Sequence, residues 1–245
     1  MVAKKSVTDS FHIEEIEAKS ILRTHTDVVA HGEVFHRFTI YSPYYNPNKG
    51  AQSWPQHIVS LLLRNLRPVG FLESLIRRTC DDNPNAHYIL FKLFWYHNRR
   101  ILRHVIEDHR YRVIVLQRKN KLEQYSSRKI AMKTRQWVFR GDNVEKSLIH
   151  FDLTDFQRYV QRMEKGEANL KAALRGRDHF FLYYDEIGER IGELADWLGL
   201  SVADLPLAGP GVRKKQNSSS VLERFADPED VRRQLADTKW GKFLD

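Results

Sequence analysis

Two apolar stretches one helix-length apart place the strongest constraint on how this chain can fold. The first, Ala86-His-Tyr-Ile-Leu-Phe-Lys-Leu-Phe-Trp95, is apolar almost throughout, as a strand must be when both faces of its sheet are covered. The second, Tyr111-Arg-Val-Ile-Val-Leu-Gln117, follows a short helical segment, Arg99 to Asp108. Strand, crossover and strand in that order make a βαβ unit, whose strands pair in parallel. A third strand, Asp178-His-Phe-Phe-Leu-Tyr-Tyr184, comes after a long amphipathic helix, Asp152 to Leu174. There Leu153, Phe156, Tyr159, Val160 and Met163 recur at intervals of three and four. The expectation is an α/β fold with a mostly parallel sheet and helices on both faces.

The other segments fit around that frame. Ile13 to Arg23 carries a weak helical stripe, and Asp27 to Glu33 is a short β-prone stretch ending in a Gly-Glu turn. Tyr41 to Gly50 reads as an aromatic loop, a plausible wall for an acceptor ligand. His57 to Leu66 and Gly70 to Arg78 read as helices, with Leu61, Leu62 and Leu63 expected to point inward. Further helices are expected over Lys121 to Trp137, over Gly188 to Leu198 with Gly199 as the C-cap, and over Pro228 to Asp237. Asp142 to His150 and Ala208 to Ser220 read as loops.

A chain of 245 residues with formal charge +9 favours an anionic partner. The basic residues are spread out rather than blocked, which ranks nucleic acid below a phosphate-bearing small molecule. The single cysteine, Cys80, excludes an intrachain disulfide and a cysteine-rich zinc site and fits a reducing compartment. No apolar run approaches the ~18 residues of a membrane span, and no apolar stretch follows the basic start as in a signal peptide. A cytoplasmic protein is the default expectation. No Gly-x-x-x-x-Gly-Lys-Ser/Thr sequence is present, which disfavours a nucleotide kinase.

The most informative chemistry lies just past the second strand. Arg118 stands at the strand's carboxyl end, where ligands bind in open α/β sheets. Asn120, with Glu123 three residues on, resembles a capping box and starts the next helix there. Ser126 falls on the helical face of Leu122 and Ile130. Arginine and serine converging at that place suit a phosphate dianion. The plainer alternative is a serine bonded back to its own helix carbonyl beside a solvated arginine.

Leu116-Gln-Arg-Lys-Asn-Lys-Leu-Glu-Gln-Tyr-Ser-Ser resembles the 3′-phosphate-binding element of PAPS-dependent sulfotransferases (PAPS is 3′-phosphoadenosine 5′-phosphosulfate), with Arg118 and Ser126 at the matching spacing. His25 to Glu33, Phe91-Lys-Leu-Phe and Phe181-Leu-Tyr-Tyr-Asp-Glu-Ile-Gly are similar to other parts of that family in the right order. Arg213-Lys-Lys-Gln-Asn is loosely similar to its basic terminal loop. The resemblance runs from about Thr24 onward and is nearest to bacterial carbohydrate sulfotransferases of the trehalose- and Nod-factor-modifying kind.

It implies a single P-loop-NTPase-like domain over 1–245, with 1–20 atypical. It implies PAPS as the sulfuryl donor and a carbohydrate or glycolipid hydroxyl as acceptor; no nucleic-acid partner is expected from the spread of charge, and a homodimer is left as an option. Arg118 and Ser126 would hold the 3′-phosphate, and Lys214 and Lys215 would cover it; charge alone makes those lysines a solvated loop. Glu33 would be the general base, against the plainer reading of a surface glutamate at a turn.

The family's glycine- and hydroxyl-rich phosphate loop should fall near His12 to Ile16, where the chain reads His-Ile-Glu-Glu-Ile. The first strand and its phosphate loop are therefore expected to be remodelled or lost. That leaves a non-catalytic binding protein on the same scaffold as the alternative function. His31, His36 and His97 are weaker candidates for proton transfer, and no spacing points to a metal. Lys92 interrupts an apolar strand, so its ammonium must be paired, reach a ligand or snorkel to the surface.

Overall fold

A computed structural model describes residues 5–8, 22, 25–45, 52–135, 147–201 and 220–244. Five strands lie in one sheet: β1 (Lys5–Thr8), β2 (Val28–Glu33), β3 (Tyr88–Lys92), β4 (Tyr111–Gln117) and β5 (His179–Tyr183). Their order is β2-β3-β1-β4-β5, and every pairing is parallel. The expected α/β class with a parallel sheet is what the topology shows. The first strand, expected to be remodelled or lost, is present and central: Lys5–Thr8 pairs with β3 on one side and β4 on the other. The His12–Ile16 segment and the expected helix before Arg23 lie outside the described residues, apart from Leu22.

Seven α-helices are among the described residues: α1 (Trp54–Leu66), α2 (Pro68–Asp82), α3 (Arg99–Glu107), α4 (Lys121–Thr134), α5 (Leu153–Ala173), α6 (Ile187–Leu198) and α7 (Pro228–Leu235). Their ends have local causes. Ser53 and Gln56 form a capping box with Pro55 in the first turn, which starts α1 three residues earlier than the apolar pattern indicates. Asn98 and Asn120 cap α3 and α4 through their side-chain oxygens. Gly199, left-handed at φ 71°, closes α6 as expected. Arg135, left-handed at φ 58°, ends α4 short of the expected Trp137.

The described residues divide into two compact units. The first takes in 5–8, 22, 25–45, 52–117 and 170–201; the second takes in 118–135, 147–169 and 220–244. In the first, the period-two alternation of β4 splits its side chains between two cores. Ile114 and Leu116 join Leu90, Leu182 and the apolar side of α6. Val113 and Val115 join Phe91, α2 residues Leu72 and Leu75, and α3 residues Ile101 and Val105. The second unit is built on aromatics: Tyr125 against Phe156 and Tyr159, Phe151 against Phe225, and Phe156 against Trp240.

One expectation is overturned in α1. Leu62 and Leu63 face solvent rather than the core, while His57, Ser60 and Arg64 are buried. Polar bonds set the helix phase. Arg64 Nη1 donates to the carbonyls of Val34, His36 and Thr39, at 3.1, 2.7 and 3.0 Å. His57 bonds the Tyr45 carbonyl at 2.6 Å. A buried guanidinium with three carbonyl acceptors outweighs two leucines, because each acceptor left without a donor costs ~1–3 kcal/mol.

Candidate functional site

The sheet edge at the carboxyl ends of β2 and β3 gathers one group of candidates. Glu33 closes β2 and Lys92 closes β3, and the two are register partners across an irregularity in the pairing. Lys92 Nζ lies 3.4 Å from Glu33 Oε1, and both side chains are largely covered. Lys92 is therefore paired with Glu33 instead of snorkelling, and its ammonium also sits 4.4 Å from the centroid of Phe94. Beyond it, Phe94 stacks on Tyr96 at 5.2 Å, and His97 meets the edge of Phe94 at 4.7 Å. His97 Nδ1 accepts from the Phe94 amide, so the two residues brace one another.

On the β2 side, the His36 amide donates to the Glu33 carbonyl at 3.2 Å. Burial lowers the pKa of His36; Glu33 opposes that shift and Arg64 reinforces it. His36 packs against Tyr41, whose carbonyl accepts from the Gly32 amide at 2.7 Å. A Cβ on Gly32 would lie 2.6 Å from that of Tyr41, so the Gly-Glu turn needs its glycine for close approach. A carboxylate beside an ammonium, with an imidazole and an aromatic shelf nearby, is the set of groups from which a proton acceptor for a hydroxyl could be drawn.

His31 is removed from that role. It is fully buried, with its ring nitrogens bonded to Ser42 Oγ and Thr79 Oγ1 at 3.1 and 3.0 Å.

The second unit holds the Arg118–Ser126 element. Arg118 is 5% exposed, contrary to a solvated arginine. Its Nη1 lies 3.5 Å from Glu123 Oε2. The other oxygen of Glu123 accepts from Arg224 Nη2 at 2.9 Å. Arg224 Nη1 also reaches Ser126 Oγ at 3.2 Å and Ser127 Oγ at 3.3 Å. Ser126 itself, fully enclosed, donates to the Glu123 carbonyl at 3.0 Å, which is the local serine bond of the plainer alternative. Burial lowers the pKa of Arg224, and Glu123 partly restores it. Lys121 is paired with Glu167 and donates to the Arg118 carbonyl.

Two guanidinium groups and two hydroxyls around one carboxylate make a donor set suited to a phosphate dianion. Here Glu123 occupies that donor set, pairing with both arginines. Lys214 and Lys215 lie outside the described residues.

Arg224 was not singled out in the sequence. Its signal was a charged residue inside Val221-Leu-Glu-Arg-Phe225, the same kind of interruption that marks Lys92. Elsewhere, Glu73, His104 and Asp108 bring potential ligand atoms within 4.8 Å of one another. Arg110 already supplies the cation there, 2.8 Å from Glu73 and 2.6 Å from Asp108. No helix among the described residues is long and apolar enough to cross a membrane.

No protein-family model and no curated protein matches the chain. Among solved structures it is similar to a sulfotransferase domain from the curacin biosynthetic pathway, at 11% identity and a TM-score of 0.46. That match covers 99% of this chain and 89% of the other.

Proposed function

We propose that this chain is a sulfotransferase that moves a sulfuryl group from PAPS to a hydroxyl of a carbohydrate or glycolipid. The buried cluster of Arg118, Arg224, Ser126 and Ser127 carries the reading, because it pairs guanidinium and hydroxyl donors as a 3′-phosphate requires. Arg118 and Ser126 then hold that phosphate, with Arg224 as a second fork and Lys214 and Lys215 covering it. The donor, when bound, supplies an activated sulfur. Glu33 takes the proton released by the attacking hydroxyl, and Lys92 holds the carboxylate at the ends of β2 and β3.

Thermal shift with 3′,5′-ADP against 5′-ADP tests the site. The native chain should be stabilised more by 3′,5′-ADP, and Arg118→Ala should abolish that preference. Equal stabilisation by both nucleotides in the native chain would remove the assignment.

A second reading has its own support. Ser126 is fully enclosed and Glu123 already engages both arginines. The sequence where the phosphosulfate loop is expected, His12 to Ile16, has neither glycine nor hydroxyl. On this reading the chain is a sulfotransferase-like binding protein without turnover. Transfer of labelled sulfate from PAPS to any sugar, lost in Glu33→Gln, decides for the enzyme; its absence with 3′,5′-ADP binding intact decides for the binding protein.

A further inference from the structure

Most of the large apolar side chains of α1 face outward, Leu61 being the exception. Trp54, Ile58, Leu62 and Leu66 recur every four residues along its outer face, with Val59 and Leu63 beside them, and each is more than half exposed. Contiguous apolar surface of this kind marks an interaction site rather than scattered surface residues. The orientation is held by Arg64 and His57 through bonds to four backbone carbonyls, so the apolar face cannot be hidden by rolling the helix. Arg64 ties the turn around Phe38 to the last turn of α1. Phe38 is 73% exposed and lies under the guanidinium of Arg37, at 5.3 Å.

Charge identifies what covers this face. From Val34 to Leu72 the sequence has no Asp or Glu, while Arg37, Lys49, Arg64 and Arg67 are all basic. Arg37 and Arg67 are exposed next to the apolar residues. A second copy meeting this face would bring like charges together, with no acid from the same segment to answer them. The helix face is about 20 Å long and 10 Å wide, well short of the ~800 Å² per partner of a stable protein interface. An exposed apolar stripe with a tryptophan at one end and arginines at its margin is how a helix lies in the interface of an anionic bilayer.

We propose that α1, together with the Arg37–Phe38 turn, docks the protein on anionic lipid membranes, with the helix flat in the headgroup region. The inference is independent of the sulfotransferase reading.

Flotation of the full chain with vesicles of phosphatidylglycerol and phosphatidylcholine, against phosphatidylcholine alone, tests it. The native chain should float with the anionic vesicles, and far less with the neutral ones or at high salt. Leu62→Gln combined with Leu66→Gln should weaken flotation at least tenfold with an unchanged melting temperature. Ile58→Gln serves as the second variant should the pair disturb folding, and Arg37→Gln should weaken flotation as salt does. Failure of the native chain to float, or equal flotation of the variants, overturns the proposal. So does a native dimer that Leu62→Gln dissociates while vesicle binding stays absent, since the occupant would then be a second copy.

Discussion

Gly32 shows how much a single position carries at the edge of the sheet. Its amide bonds the Tyr41 carbonyl, and the space a methyl group needs is filled by the root of the Tyr41 side chain. Gly32→Ala should destabilise the fold by about 1–3 kcal/mol, read from a urea melt, and should displace Glu33 from Lys92. His36 gives a second test. Its pKa in the folded chain lies below the ordinary value of 6.5, chiefly through burial, so the unfolded chain binds the proton more readily. Its contribution to stability is present above pH 6.5 and is lost as pH falls through the lower folded value. His36→Gln should flatten the fall in melting temperature below pH 6.5; an unchanged profile would remove His36 from that account.

Among the elements, α1 separates local pattern from tertiary demand. Apolar periodicity alone turns Leu61, Leu62 and Leu63 inward, yet of the three only Leu61 packs on the core, beside the buried His57, Ser60 and Arg64. Arg64→Met should cost about 2–4 kcal/mol because three carbonyls lose their donor. Leu62→Gln should change stability by less than about 0.5 kcal/mol. Denaturant midpoints of the two variants in parallel decide whether the helix is oriented as described; a larger loss for Leu62→Gln would reverse its orientation. In α4 the local signals were sufficient for the start of the helix, though not for its end at Arg135. Asn120 caps the helix, although the Glu123 carboxylate turns to Arg118 and Arg224 rather than back to the cap, and Ser126 lies inward with Leu122. Arg118 and Ser126 were thus legible as a pair, whereas Arg224, which bonds Ser126 and shares Glu123 with Arg118, was not.

For the whole molecule, the charge of +9 bears on kinetics rather than on fold. If 3′,5′-ADP is a ligand, raising ionic strength from about 0.05 to 0.5 M should slow association about tenfold and alter dissociation much less. Stopped-flow traces at several salt concentrations check this; a salt effect confined to dissociation would rule out steering.

The apolar runs and their spacing by themselves determined the parallel sheet, the long helix α5 and the caps of α4 and α6. The runs, the helix and the caps depend on residues within a few positions of one another, and parallel pairing follows from strands separated by helix-length crossovers. Tertiary structure alone decided that Lys5–Thr8 forms the central strand, that Lys92 pairs with Glu33, and that Arg224 reaches Glu123 from 101 residues away. It also decided which side of α1 faces water, because the carbonyls that hold Arg64 come from a turn 25 to 30 residues earlier in the chain. A buried charge takes whichever partner the fold brings to it, and no local periodicity encodes that choice.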